Sequence, residues 1–127
     1  VASSETKAIE TAELLDLGAI RIDPRLSEVS KPWHQSSEDH EAAAIKYLAG
    51  RDLPKWERSS GALSRFDAAV SDITGDLTAV VTHGTVLSLW LNRRVDGLDT
   101  IDFWSGLQMP DAWLFDRTST TLARAID

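Results

Sequence analysis

The 127 residues include 13 lysines and arginines against 20 aspartates and glutamates, a formal net charge of −7, with 43% hydrophobic residues and no cysteine. This is the composition of one globular domain that buries roughly two-thirds of its unfolded surface, which excludes disordered and collagen-like classes. The acidic balance argues against nucleic-acid binding, the lack of cysteine removes disulfide scaffolds and thiolate chemistry, and no apolar run reaches the roughly 20 residues of a membrane helix.

A soluble, cytoplasmic α/β domain is the resulting expectation. The chain opens on Val1-Ala2-Ser3-Ser4, without an initiator Met or a signal peptide. Two apolar residues running straight into a helix cap read as the end of a strand whose beginning is missing, and the sequence as a fragment. Ser3 or Ser4 then caps a helix to about Leu17, with Ala8, Thr11, Ala12 and Leu15 as its apolar stripe and Gly18 as its stop. Ala19–Ile22 is a short strand ended by Asp23-Pro24. A polar loop, Arg25 to Gln35, leads to a helix capped by Ser36 or Ser37 and running to about Ala49, its first turn rich in acids.

After a loop from Arg51 to Ser60 holding Trp56-Glu57, Gly61 to about Ile73 is helical, with Leu63, Phe66, Ala69, Val70 and Ile73 on one side. Thr78-Ala79-Val80-Val81-Thr82 reads as a buried parallel strand, His83-Gly84 as a turn, and Thr85 to about Arg94 as a buried helix. A short helix over Asp99–Leu107 follows. Strands over Ala112–Asp116 and Thr120–Ile126 make an edge hairpin. No internal repeat interrupts this alternation, which predicts a layered α/β domain with a mostly parallel sheet.

His83, at the C-terminal end of a predicted parallel strand and just before a helix, stands where open α/β sheets present residues to ligands. The free N–H groups of that helix favour an anion at the same spot. Lys7, a cation in a first helical turn, opposes the macrodipole, so it points to an anion held nearby, although a solvated lysine satisfies the same position. Glu28 lies beside Lys31, Pro32 and Trp33, where partial burial would suit a carboxylate to proton transfer, although a surface glutamate beside a lysine is the commoner arrangement. His34 and His40 lack the i, i+4 spacing of a helical metal pair and read as solvated. Trp56 and Trp104 read as packing residues. No G-x-S-x-G elbow, P-loop or dinucleotide-binding glycine fingerprint is present.

Taken in order, these residues resemble the histidine phosphatase superfamily, the phosphoglycerate mutase-like proteins. Ser3-Ser4-Glu5-Thr6-Lys7-Ala8-Ile9-Glu10-Thr11-Ala12-Glu13 is similar to the family's Ser-x-x-x-Arg-Ala-x-x-Thr-Ala-Glu segment, with Lys7 at the phosphate-binding arginine. Arg25-Leu26-Ser27-Glu28 resembles the loop of the acid/base glutamate. Trp56-Glu57 with Arg65-Phe66 resembles the family's Gly-Trp-Glu and Arg-Phe segment, and Val80-Val81-Thr82-His83-Gly84 its second-histidine motif. The resemblance implies a three-layer α/β/α fold and two-step phosphomonoester hydrolysis through a phosphohistidine. Lys7, His83 and Gly84 would hold the phosphoryl group, Glu28 would move the proton, and Lys31, Trp33 and Trp56 would shape the leaving-group pocket. A small phosphorylated substrate is the implied partner, and the implied chemistry uses no metal or cofactor.

The chain departs from that pattern at two points. The Arg-His-Gly that ends the family's first central strand is absent, so the first strand reads as missing and the nucleophile with it. Lysine for arginine at position 7 replaces a bidentate fork by a point charge. A phosphoglycerate-mutase-type phosphotransferase is a second reading, disfavoured by the 55 positions between Glu28 and His83 and by Thr85 after His83-Gly84. A non-catalytic family member that binds a phosphorylated ligand or a protein partner is a third.

Overall fold

Helices make up most of the regular structure in the computed structural model, which describes residues 1–125. Helix α1 spans Thr6–Leu15, α2 Ser37–Leu48, α3 Ser59–Ser71, α4 Gly84–Arg94 and α5 Thr100–Ser105. An antiparallel hairpin follows, β1 (Trp113–Asp116) pairing with β2 (Thr121–Arg124) so that Trp113 faces Arg124 and Asp116 faces Thr121. Ile126, expected to end the second of these strands, lies outside the described residues.

Helices start where the local chemistry satisfies their free N–H groups. The Ser36 side chain accepts from the Asp39 amide at 3.1 Å and that of Asp99 from the Asp102 amide at 3.0 Å. Glu38 and Asp39 sit in the first turn of α2, at the positive end of its dipole. Helix α1 differs from expectation. Its N-cap is Glu5, whose amide donates to Ser3 Oγ at 3.2 Å, and of the predicted apolar stripe Ala8 alone is buried. Leu15 is half exposed, and the chain leaves the helix through left-handed Asp16 and Gly18.

The core forms where α3 packs on α4 and α4 on α2 and α5. Tyr47, Phe66, Leu26, Leu91 and Val86 are fully buried in it. The Phe66 ring lies 5.6 Å from Trp90, and Trp90 meets Phe115 edge-on at 5.1 Å, which fastens the hairpin to the helices. Phe66→Ala empties the centre of this stack and is expected to lower stability by about 3–5 kcal/mol, measured by urea denaturation.

The predicted parallel sheet, and with it the three-layer α/β/α architecture, is not formed among the described residues. What stands in its place is a crossing of three chain segments, one residue wide. Ala2 makes isolated parallel bridges to Ile22 on one side and Val81 on the other. The Ala2 amide donates to Arg21 O at 2.8 Å and its carbonyl accepts from Asp23 N at 2.8 Å. Ser3 N donates to Val81 O and Val81 N to Val1 O, each at 2.9 Å.

Each segment turns away beyond the crossing. Ser3–Glu5 leads into α1, Pro24 lacks an N–H and opens a 3-10 turn over Pro24–Leu26, and Gly84 begins α4. Thr78, Ala79 and Val80, expected inside the core, are exposed, as are Leu77 and Ile22. The fold is therefore mostly helical. Among the described residues no helix is long and apolar enough to cross a membrane.

Candidate functional site

The crossing at Ala2 brings Ser3, Glu5, Glu28 and His83 to the start of α4. His83 is the N-cap of that helix but its side chain caps nothing. The cap is supplied by Glu28, whose Oε2 accepts from the Thr85 amide at 3.0 Å and whose Oε1 accepts from the Val86 amide at 2.8 Å. Oε1 also accepts from the adjacent Val29 amide at 2.9 Å. The helix end that favours an anion thus holds a carboxylate of the chain itself, an arrangement worth up to about 2 kcal/mol when partly buried.

His83 Nε2 lies 2.9 Å from Ser3 Oγ and 2.9 Å from Glu5 Oε2. Glu5 Oε2 in turn accepts the Glu28 amide at 2.7 Å. Ser3 is fully buried, whereas the Glu5 side chain is half exposed. Hydroxyl and carboxylate meet the same ring nitrogen, so this is not a serine triad, in which the acid takes the opposite nitrogen of the imidazole. It is an acid/base cluster of two carboxylates and one imidazole at a positive helix end.

The loop that carries Glu28 is held by one guanidinium. Arg65 on α3 donates to the carbonyls of Arg25 (2.8 Å), Ser27 (2.7 Å) and Glu28 (3.2 Å), and grips both oxygens of Glu57 at 2.8 Å. Glu57 completes the brace: its Oε1 accepts from the Ser30 amide and its own amide donates to Ser30 O. The Arg65 hydrogen bonds hold the Glu57 carboxyl below its ordinary value, against a smaller opposing effect of burial. Thr82 Oγ1 adds a bond to Leu26 O at 2.7 Å, tying the Glu28 loop to the segment that ends in His83.

The other sequence-singled residues fall into two groups. Gly84 opens α4, and its lack of a side chain leaves room for α5: a Cβ there would lie 3.2 Å from Leu107 Cδ1 and 3.8 Å from Trp104 Cδ1. Trp104 Nε1 donates to Thr85 Oγ1 at 3.2 Å. Lys7 is exposed in the first turn of α1, and its ammonium makes no ion pair among the described residues. Lys31, Trp33, His34 and His40 line an open groove, with Trp33 at its rim. Trp56 is buried behind that groove, 5.0 Å from Tyr47, with Lys31 Nζ 5.7 Å above its ring.

His34 and His40 are not solvated as their spacing suggested. Their rings stand 5.7 Å apart, His40 stacks on Trp56 at 6.4 Å, and the Nε2 atom of each is buried without a hydrogen-bond partner. Burial, with Lys31 and His34 adding to it, lowers the His40 pKa from its ordinary 6.5, opposed by Glu28. The native state therefore resists a proton that the unfolded chain accepts. Stability from this site is complete above pH 6.5 and falls as pH drops below it, by at most about 1.4 kcal/mol per pH unit. Urea denaturation from pH 7.5 to 5 is expected to show this slope, and His40→Gln to flatten it.

Compared with family models, curated proteins and solved structures, the chain matches none. Ser3 and Glu5 are the residues that sequence reading missed at the site, since one was taken as a helix cap and the other passed over. Both lie about 80 positions from His83, and no spacing rule links them. The Arg65–Glu57 brace had one signal, the Trp-Glu and Arg-Phe pairs quoted for the resemblance.

Proposed function

We propose that the cluster of Glu28 and His83 at the start of α4 acts on phosphomonoesters, with hydrolysis to an alcohol and inorganic phosphate as the net reaction. The observation that carries this reading is the Glu28 carboxylate seated on the Thr85 and Val86 amides, with the Glu28 amide and the His83 imidazole both meeting Glu5 Oε2. A carboxylate and an imidazole, the two kinds of side chain that most often move protons in catalysis, converge there. A phosphate dianion approaching this point is repelled by the two carboxylates. In this reading Glu28 is the general acid that gives the leaving oxygen its proton as the P–O bond breaks. Water forms the new bond to phosphorus as that bond breaks, and the dihydrogen phosphate so formed returns a proton to Glu28. Lys7, exposed in the first turn of α1 two residues after Glu5, supplies a cation for the phosphate oxygens in this reading.

The phosphohistidine route implied by the resemblance calls for a nucleophilic histidine in addition to His34, His40 and His83. In this reading Lys7 and His83 hold the phosphoryl group and Glu28 moves the proton. The substrate in this reading is a small phosphorylated metabolite met in the cytoplasm, with no nucleic acid involved. A second reading, a non-catalytic binder of phosphorylated ligands, is favoured by the lack of any histidine besides His34, His40 and His83 among these 127 residues to act as nucleophile. Turnover of p-nitrophenyl phosphate by the protein in its native full-length form decides between them. Activity abolished by His83→Ala supports hydrolysis. Saturable phosphate binding without turnover supports the binder.

A further inference from the structure

We infer that the groove lined by Lys31, Trp33, His34 and His40 is the leaving-group subsite of this centre, and that it selects phosphomonoesters whose leaving group is a planar aromatic ring. The inference rests on the phosphomonoester reading and adds a substrate class to it. Trp33 is 83% exposed at the groove's rim, a bare indole in an otherwise polar stretch. Behind it the groove is backed by π-systems: His34 lies 5.9 Å from Trp56, and His40 stacks on Trp56 with an interplanar angle of 18°. Such surfaces gain most from a flat ring, which they meet over a large area at little entropic expense, and least from a flexible alkyl chain.

The groove is also joined to the phosphate end. Trp104 hydrogen-bonds Thr85 at the start of α4 and lies 6.4 Å from the His40 ring. One indole therefore spans from the Glu28-capped amides to the groove. Lys31 supplies a positive charge over Trp56 that suits the approach of a dianionic ester.

Binding of two non-hydrolysable probes, 2-naphthylphosphonate and methylphosphonate, to the full-length protein tests this without needing turnover. The expected result is at least tenfold tighter binding of the naphthyl compound, a preference that collapses to within about twofold in Trp33→Ala. Trp33 is exposed, so this variant keeps the core. Equal affinity for the two probes, or a preference unchanged by Trp33→Ala, overturns the subsite while leaving phosphate binding in place. Failure of both probes to bind overturns the phosphomonoester reading and the subsite with it.

Discussion

Glu28→Gln is expected to lower phosphomonoester turnover by about two to four orders of magnitude, the usual contribution of a positioned general acid. The loss should depend on the leaving group. An alkoxide cannot depart without a proton, whereas p-nitrophenolate can, so the defect should be several times larger for an alkyl phosphate than for p-nitrophenyl phosphate. Equal defects on both substrates would reduce Glu28 to a structural cap. The same substitution also has a stability cost. Three backbone amides, those of Val29, Thr85 and Val86, now share two carboxylate oxygens. Glutamine offers one oxygen and turns an N–H toward a donor, so about 1–3 kcal/mol should be lost in urea denaturation.

The largest loss of stability near the site is expected from Arg65→Met. The substitution strands the partly buried Glu57 carboxylate and removes the donor from three loop carbonyls at once. About 3 kcal/mol should be lost. Lysine should not rescue it, because one ammonium cannot reach both oxygens of Glu57 and the three carbonyls together. The pH dependence carries a sign. With the Glu57 carboxyl held below its ordinary 4.5, the contribution is full above that value and is lost as pH falls through the lowered one. Arg65→Met should remove that acid-side slope. A wild-type slope retained in the variant would mean that the guanidinium is not what holds Glu57.

Elements with local chemistry were legible in the sequence. Ser36 announces α2 because a side-chain oxygen capping a helix acts within three residues, and the short helix read from Asp99 and the closing hairpin form close to the residues assigned to them. The sheet was misread because an apolar, β-branched run such as Thr78–Thr82 specifies extended backbone but not what covers it. Here one residue of the run pairs and three are exposed. Glu28 and His83 were singled out separately, one in a loop and one before a helix; the structure brings both to the start of α4, where the anion on the amides is Glu28 itself. His34 and His40 were misjudged for a different reason. A spacing rule tests whether two residues share a helix face, and His34 precedes α2 while His40 sits in its first turn. Trp56, from a distant loop, brings them together.

The central claim is that the start of α4, with Glu28 and His83, is where this protein meets phosphate. Amide and imidazole NMR signals followed during titration with inorganic phosphate test it most directly. The account predicts saturable shifts centred on the Thr85 and Val86 amides and the His83 ring, extending to Glu28 and lost in His83→Ala. Phosphate that leaves these signals unmoved, or that shifts them equally in His83→Ala, would contradict it.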